Sequence, residues 1–244
     1  MTDKNYWAKR SKDYNNLEWV NRDEYMQAFI DAGSFNKNDI VLDVGCGTGK
    51  VVEHIAPLVN KIIGMDISRD MIAKAVPLNH NVIYMCNDIK KSLLTNSMFT
   101  KVTARHVFHH ITKDADNAMR ECYRLLKKNG LVVLSEGVPP TEDAYADYKK
   151  VMLAKETRII FTPADLIELV SNAGFYIVDV KEIMLEQVSV KNWLVNSGLS
   201  TKRQDYIYDL VLNTGVSYKL GHKMTLHNDD CYIDMRMMIV VGQK

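Results

Sequence analysis

Val41-Leu-Asp-Val-Gly-Cys-Gly-Thr-Gly49 is the glycine-rich stretch from which the organisation of this chain can be worked out. A short apolar run beginning at Asp39 stops abruptly at Gly45, which is typical of a strand buried on both faces of a parallel sheet. The alternating glycines let the chain turn sharply and let a ligand approach the backbone. We therefore predict a first strand, a ligand-binding turn and a helix from about Thr48 to Leu58.

Strands and helices alternate after this turn, residues 45–49, which we call the glycine loop. Apolar runs predict strands over residues 61–66, 81–86, 101–107, 131–135 and 175 to about 184. Helical spacing predicts helices over residues 69–75, 114–128 and from Thr162-Pro163 to 173–174, with Asn129-Gly130 capping the second of them. This rhythm favours βαβ units, and the alternating pattern of residues 231–241 predicts an edge or antiparallel strand.

Composition indicates an ordinary globular protein, with 47% hydrophobic and 25% charged residues among 244. The 31 basic and 30 acidic residues leave a net charge of +1, which favours neither nucleic acid nor a membrane surface. The chain contains neither a run of 18 apolar residues nor a signal-like segment, so we expect a cytoplasmic protein. The four cysteines are widely separated, and we expect no metal site.

Three acids follow or end strands where a nucleoside could be bound. Asp43 stands two residues before the first glycine, where it would oppose a pyrophosphate but suit a ligand with an amine or sulfonium. Asp66 ends the second strand and can accept hydrogen bonds from both hydroxyls of a ribose. Asp88 follows the third strand and can accept from an exocyclic amine, while Ile89 packs on the ring. These positions indicate a cationic nucleoside ligand.

Together these residues resemble the class I S-adenosylmethionine-dependent methyltransferases, in particular the small-molecule branch that includes the ubiquinone and menaquinone biosynthesis enzymes. The resemblance covers roughly residues 38–136 and is carried by the glycine loop, Gly64-Met-Asp-Ile-Ser68, Asn87-Asp-Ile89 and His109-His-Ile111. It implies S-adenosyl-L-methionine as the cofactor. It also implies an α/β, Rossmann-like methyltransferase fold, with a doubly wound, mostly parallel seven-stranded sheet whose last strand is antiparallel.

The resemblance also implies where parts of the cofactor would lie. Asp43 and the glycine loop would meet the methionine portion, Asp66 the ribose, Asp88 the adenine, and Arg105 the methionine carboxylate. The complete set of expected cofactor-binding residues is Tyr14, Asp43, Gly45, Cys46, Gly47, Thr48, Gly49, Asp66, Ile67, Met71, Asp88, Ile89 and Arg105.

Three histidines in Arg105-His-Val-Phe-His-His110 follow the fourth strand and are expected to face the cofactor crevice. Methyl transfer from a sulfonium mainly needs a positioned nucleophile and exclusion of water. An acceptor that carries a proton needs a base as well, and histidine titrates near neutral pH. We therefore take His106, His109 and His110 as catalytic candidates. The alternative for each is a ring that only packs or bonds the backbone.

We expect the chain to form one methyltransferase domain with four parts. Residues 1–37, which include Trp7 and Trp19, are expected to form a helical lid, and residues 38–185 the cofactor-binding core. Residues 186–229 are predicted to be a helical insert that caps the substrate, with a dimer surface or a segment without a functional role as the alternatives. Residues 230–244 are the final strand.

We expect methyl transfer to O, N, S or C of a small molecule by a monomer or homodimer. A nicotinamide-dependent oxidoreductase is disfavoured by the G-x-G-x-G spacing and by Asp43. An aminopropyltransferase typically carries an acidic pair where this chain has Arg105-His106. A cofactor-binding partner subunit without activity remains an alternative. Nucleic-acid amine methylation is disfavoured because the Asn/Asp-Pro-Pro-Tyr/Phe loop is missing from the sequence.

Overall fold

The structure is a computed structural model that describes residues 4–75 and 80–244. Its helices and strands, in chain order, are α1 (Lys4–Arg10), α2 (Asp23–Gly33), β1 (Ile40–Val44), α3 (Lys50–Ile55), β2 (Lys61–Asp66), α4 (Arg69–Ile72), β3 (Val82–Cys86), β4 (Phe99–Arg105), α5 (Ala115–Leu125), β5 (Leu126–Gly137), α6 (Tyr145–Lys155), α7 (Pro163–Asn172), β6 (Tyr176–Ser189), α8 (Val190–Val195), α9 (Thr201–Leu212), α10 (Val216–Gly221), β7 (Thr225–His227) and β8 (Asp230–Gln243).

The sheet has the order β3-β2-β1-β4-β5-β8-β6, and the short strand β7 pairs with β8 outside this path. Strands β1 to β5 are parallel to one another, whereas β8 runs antiparallel to both β5 and β6. The expected mostly parallel sheet with an antiparallel last strand is confirmed. Seven strands form the path, as predicted, and β7 adds an eighth.

Strand β1 is buried on both faces because helices cover the two sides of the sheet. Leu42 packs in a cluster with Met119 of α5. Val41, on the opposite face, packs with Phe29 of α2 and Val52 of α3. This two-sided burial explains why residues 40–44 read as a continuous apolar run.

Strand β8 lies between β5 and β6, so the prediction that it could be an edge strand is wrong, while its antiparallel direction is confirmed. Its polar positions bond to protein groups rather than facing solvent: Asp234 accepts from the backbone of Gln187, and Arg236 pairs with Glu182. The outer strand on this side is β6, which extends to Ser189, five residues beyond the predicted end.

Several further boundaries differ from the predictions. Strand β4 ends at Arg105, two residues early, so His106 begins the following loop. Helix α4 ends at Ile72 rather than at residue 75. Helix α5 ends at Leu125, and Asn129 does not cap it: Asn129 lies within β5 with φ +62° and donates its backbone N–H to the carbonyl of Lys244.

The insert over residues 186–229 contains α8, α9 and α10, but also the end of β6 and strand β7, so it is not purely helical. Its buried side chains, including Trp193 and Ile207, pack with Trp19 and Tyr25 from the amino-terminal segment and with Ile233 of β8. The insert and the amino-terminal segment thus share a core beside the carboxyl ends of the parallel strands. Among the described residues, no helix is long and apolar enough to cross a membrane.

Candidate active site

A large pocket opens at the carboxyl ends of the parallel strands, with about 1490 Å³ of empty volume including the part open to solvent. One part of its wall, which we call the nucleoside half, is lined by Gly45, Gly47, Asp66, Met71, Asp88 and Ile89. The other part, which we call the cap half, is lined by Arg10, Tyr148, Met152, Lys155, Glu156, Arg158 and Trp193. Ligands bind at this edge in doubly wound sheets.

The glycine loop forms the floor of the nucleoside half. Gly45 has φ +66°, and a Cβ at this position would lie 2.3 Å from Cγ2 of Val107. Gly47 has φ +53°, and a Cβ there would meet nothing within 4 Å. The backbone N–H of Gly47 donates to Oδ2 of Asp66 at 2.9 Å, which ties the loop to the end of β2. The loop therefore exposes backbone to the pocket at Gly47.

Asp66 is held in place by backbone donors on both of its oxygens, from Gly47 to Oδ2 and from Ser68 to Oδ1 at 2.8 Å. Burial raises the pKa of this carboxyl, and the two backbone bonds oppose that shift. Each carboxylate oxygen accepts more than one hydrogen bond. Asp66 therefore retains acceptor capacity towards ribose hydroxyls in the pocket.

Asp43 and Arg105 are a buried acid and a buried base whose hydrogen-bonding capacity is incompletely used. Oδ1 of Asp43 accepts from Thr103 at 2.7 Å, whereas Oδ2 finds no partner among the described residues. Burial raises the pKa of Asp43 to about 7, and the nearby charge of Arg105 opposes the shift. Nη1 of Arg105 likewise finds no acceptor among the residues described. Groups of this kind are costly unless a ligand satisfies them.

Twelve of the residues predicted from sequence line the pocket, namely Tyr14, Gly45, Gly47, Asp66, Ile67, Met71, Asp88, Ile89, Arg105, His106, His109 and His110. The other four, Asp43, Cys46, Thr48 and Gly49, are not among the lining residues. Asp43 bonds Thr103, and the hydroxyl of Thr48 donates to Asn15. The backbone N–H of Cys46 donates to Met65, and Gly49 precedes the first residue of α3.

His109 is held by Glu136, which is fully buried near the end of β5. Oε2 of Glu136 lies 2.5 Å from Nδ1 of His109, and Oε1 accepts from the His109 backbone at 3.2 Å. Burial raises the pKa of Glu136, and nearby positive charge and backbone donors oppose that shift. We treat Glu136 as the accepting carboxylate and assign the ring hydrogen to Nδ1, which leaves the lone pair of Nε2 free. Burial, and then the charge of Arg158, holds the pKa of His109 well below its usual value, so the ring is neutral at neutral pH.

The other two histidines are placed differently. His106 has φ +58°, and its Nε2 lies 2.8 Å from the hydroxyl of Tyr25, which also contacts Ser135 at 2.7 Å. Its Nε2 is therefore already engaged within the protein. His110 packs edge-on against Trp7, with ring centroids 4.7 Å apart. Of the three rings, His109 is the one that a fully buried carboxylate contacts at hydrogen-bond distance, with the lone pair left on Nε2.

Four charged residues of the cap half were not expected from sequence, namely Arg10, Lys155, Glu156 and Arg158. Arg10 precedes Glu156 by 146 positions, and the charges in Lys155-Glu-Thr-Arg158 follow a helix end, where a solvated surface is the usual interpretation. The burial of all four is a tertiary effect. Glu136 was missed for the same reason, because a single acid at the end of a predicted strand carries no distinct signal.

Two groups have the spacing of metal ligands, namely His106 with His109 and Glu136, and His109 with His110 and Glu156. In the second group Glu156 already contacts three cationic side chains, which would repel a divalent ion. In the first group Nδ1 of His109 is engaged by Glu136. The structure favours hydrogen bonding over metal binding at both groups.

A model of the methyltransferase domain family matches residues 42–134, from β1 into β5. Within these residues the chain carries a methyltransferase domain. The matched residues include the glycine loop, Asp66, Asp88 and the three histidines, so the resemblance stated from sequence is confirmed. The charged residues of the cap half lie outside the match.

Among curated proteins, the methyltransferase domain is similar to the uncharacterised methyltransferase YcgJ of Bacillus subtilis, at 26% identity over 152 residues, covering 60% of this chain and 59% of YcgJ. It is 34% identical over 99 residues to a ubiquinone biosynthesis O-methyltransferase of Bradyrhizobium diazoefficiens, covering 39% of this chain and 38% of the relative. The chain thus spans about half the length of these relatives.

The similarity to solved structures covers more of this chain than the similarity in sequence to the curated relatives does. The crystal structure of YcgJ has a TM-score of 0.80 at 19% identity, covering 91% of this chain and 98% of YcgJ. A phosphoethanolamine N-methyltransferase 2 of Haemonchus contortus, solved with phosphomonomethylethanolamine and S-adenosylhomocysteine, has a TM-score of 0.69 at 18% identity. The match covers all of this chain and 60% of the Haemonchus contortus chain. The shared fold therefore extends beyond the residues that the family model matches.

Proposed function

We propose that this protein transfers the methyl group of S-adenosyl-L-methionine to a small-molecule acceptor. The observation that carries the proposal is the pair of buried, incompletely bonded charges, Asp43 and Arg105, at the ends of neighbouring strands β1 and β4. One acid and one base at such a place suit the ammonium and carboxylate of an amino acid. Asp66, at the pocket edge of β2, suits the ribose of the same ligand.

Other features support this cofactor. Asp88 and Ile89 line the nucleoside half, where they would meet the adenine. The Haemonchus contortus neighbour was solved with S-adenosylhomocysteine, the product form of the cofactor. When bound, S-adenosyl-L-methionine supplies an electrophilic methyl group. The chain's own residues bind it, exclude water and accept a proton.

We assign the proton transfer to His109. For an acceptor that carries an O–H, N–H or S–H, the proton moves to Nε2 as the acceptor atom takes the methyl group. Glu136 then faces an imidazolium ring through the existing contact with Nδ1 and stabilises its charge. The low pKa of His109 keeps the ring neutral and ready to accept before the acceptor binds.

The amino-terminal segment and the insert act, in this proposal, as a lid and a cap. Trp7 and Arg10 of α1 line the pocket together with Trp193 of α8. These elements narrow the route from solvent to the cap half, which suits a reaction that must exclude water. A pocket narrowed in this way fits a small acceptor better than a nucleic-acid strand. We further propose a cytoplasmic location.

The proposal is tested by calorimetric titration with S-adenosylmethionine and S-adenosylhomocysteine, with NAD as the comparison ligand. We expect micromolar binding of the first two and weaker binding of NAD. Asp66→Ala should weaken S-adenosylhomocysteine binding by about 10-fold or more, because it removes charge-assisted hydrogen bonds. Asp70→Ala, an exposed acid in the next helix, is the matched control and should bind like the wild type. Preference for NAD would overturn the proposal.

A further inference from the structure

Four charged side chains meet in the cap half, and we call them the Glu156 cluster: Arg10, Lys155, Glu156 and Arg158. Nη1 of Arg10 lies 2.8 Å from Oε2 of Glu156. Nζ of Lys155 and Nη1 of Arg158 lie 3.1 Å and 3.2 Å from Oε1 of Glu156. Each of the four side chains is at most 9% exposed, and all four line the pocket.

The charges of the Glu156 cluster do not balance. Three cationic groups share one carboxylate, and the next buried carboxylate, Glu136, is bonded to His109. Burial, and then the charge of Arg10, lowers the pKa of Lys155 to about 7. A purely structural buried ion pair needs partners for every charge, because removing ions from water is costly. Below about pH 7, where Lys155 is protonated, the excess of positive charge therefore favours a further anion.

Several donors of the cluster are unused. Nε of Arg10 has no hydrogen-bond partner among the described residues. Within the same residues, the contacts of Arg158 involve its Nε and Nη1, which leaves Nη2 for a ligand. A planar guanidinium with free edges is well suited to binding carboxylate or phosphate through two parallel hydrogen bonds.

Apolar side chains surround these donors. Nζ of Lys155 lies 5.5 Å from the ring centroid of Trp193, and Cζ of Arg10 lies 5.4 Å from that of Trp7. Met152 lies in the same part of the pocket wall. The aromatic and thioether groups limit access of water, which strengthens the interaction of a bound anion with the cations.

We propose that the Glu156 cluster is an anion-binding subsite, which takes a carboxylate or phosphate group carried by the methyl acceptor. The acceptor would then have an anionic end at Arg10, Lys155 and Arg158, and a reacting atom near Nε2 of His109. That Nε2 lies 3.9 Å from Oε1 of Glu156, so the subsite and the base are adjacent. The assignment of the anion to the acceptor rests on the proposed function, whereas anion binding itself does not.

The test is calorimetric titration of the full chain with inorganic phosphate and, separately, with acetate, at pH 6.5 and constant ionic strength set with chloride. Calorimetry is preferable to a melting-temperature shift because phosphate also stabilises proteins non-specifically. We expect saturable binding of at least one of the two anions. Phosphate alone indicates a phosphorylated acceptor, and binding of acetate indicates a carboxylated one. If neither anion binds, the subsite is overturned.

Variants test whether the anion binds at the Glu156 cluster. Arg158→Met and Lys155→Met should each weaken anion binding by about 10-fold or more, since each removes charged donors. Arg120→Met, an exposed arginine of α5, is the matched control and should bind anions like the wild type. Unchanged anion affinity in both cluster variants would overturn the proposal.

Titration of the same variants with S-adenosylhomocysteine separates the two proposals and checks that each variant is folded. Retained S-adenosylhomocysteine binding without anion binding in the wild type would overturn the subsite and leave the methyltransferase proposal standing. Anion binding by a wild type that does not bind S-adenosylhomocysteine would overturn the methyltransferase proposal and retain the subsite.

Discussion

Glu136 contacts His109 through both carboxylate oxygens, one at the ring and one at the backbone. It contacts the base rather than the substrate, so we regard it as a positioning residue. We expect Glu136→Gln to lower kcat by about 100-fold, within the usual range for loss of general base catalysis. Because the carboxylate stabilises the imidazolium, its loss should also move the acidic limb of the kcat–pH profile to lower pH.

Three comparisons make the Glu136 experiment decisive. Glu186→Gln, at an exposed position, should leave the profile unchanged. His109→Asn should remove most of the same activity, so that the double variant loses little more than either single one. An equal loss at every pH without movement of the limb would indicate that Glu136 only supports the fold. Loss of wild-type activity on chelation, restored by added metal, would favour metal binding by His106, His109 and Glu136.

Residues within the core could be predicted because their signals are local. Asp66 ends one recognisable strand and Asp88 comes two residues after another, and both line the pocket. Arg10 and Glu156 could not be paired from sequence, because no local pattern connects two positions 146 residues apart. From sequence, the candidates for the base could be reduced only to three histidines. The choice among them depends on the position of Glu136 beside the His109 ring, which no local pattern predicts.

The connection from β1 to α3 shows why two neighbouring glycines should respond differently to the same substitution. Gly45→Ala puts a Cβ against Val107 in addition to the strain of a positive φ, so we expect a loss of stability of about 3 kcal/mol or more. Gly47→Ala meets open space, so about 1 kcal/mol of backbone strain is expected. The Cβ added at position 47 would instead obstruct the bound cofactor.

Chemical denaturation and calorimetry together check this pair. Gly47→Ala should remain folded yet bind S-adenosylhomocysteine more weakly than the wild type. Gly45→Ala should instead unfold at a lower denaturant concentration than either the wild type or Gly47→Ala. If Gly47→Ala binds the cofactor with unchanged affinity, the ligand does not approach the backbone at this loop.

Elements with their own periodicity and end signals were predicted well. Helix α7 begins after Thr162, whose side chain accepts from the Asp165 backbone in a capping box, with Pro163 as its first residue. Strand β8 was harder because its alternation suggested a solvent-facing side. Asp234 and Arg236 instead bond within the protein, and only the tertiary structure supplies their partners.

At the scale of the whole molecule, the excess charge of the Glu156 cluster should reduce stability. Lys155 lies against Arg10, Glu156 and Arg158, with Trp193 beside it. Lys155→Met removes one buried cation, so we expect the variant to unfold at a higher temperature than the wild type in anion-free buffer. Each kcal/mol gained corresponds to about 2–4 °C for a chain of this size.

The pH dependence follows from the lowered pKa of Lys155. The folded state holds this proton less tightly than the unfolded state, so the lysine lowers stability fully below about pH 7. That cost shrinks as the pH rises from 7 towards the unfolded pKa of about 10.4. Melting temperatures of the two proteins should therefore differ most at pH 6 and converge at higher pH. A constant difference would contradict the assigned charge.

The internal position of β8 has a consequence for synthesis of the chain. Strands β5 and β6 leave the ribosome before β8, yet each pairs with β8 along its length. Until the carboxyl-terminal segment emerges, both present unsatisfied backbone edges of the kind that promote aggregation. Nascent chains halted before residue 230 should therefore depend on chaperones and be degraded, although they already contain the whole glycine loop and every histidine of the pocket.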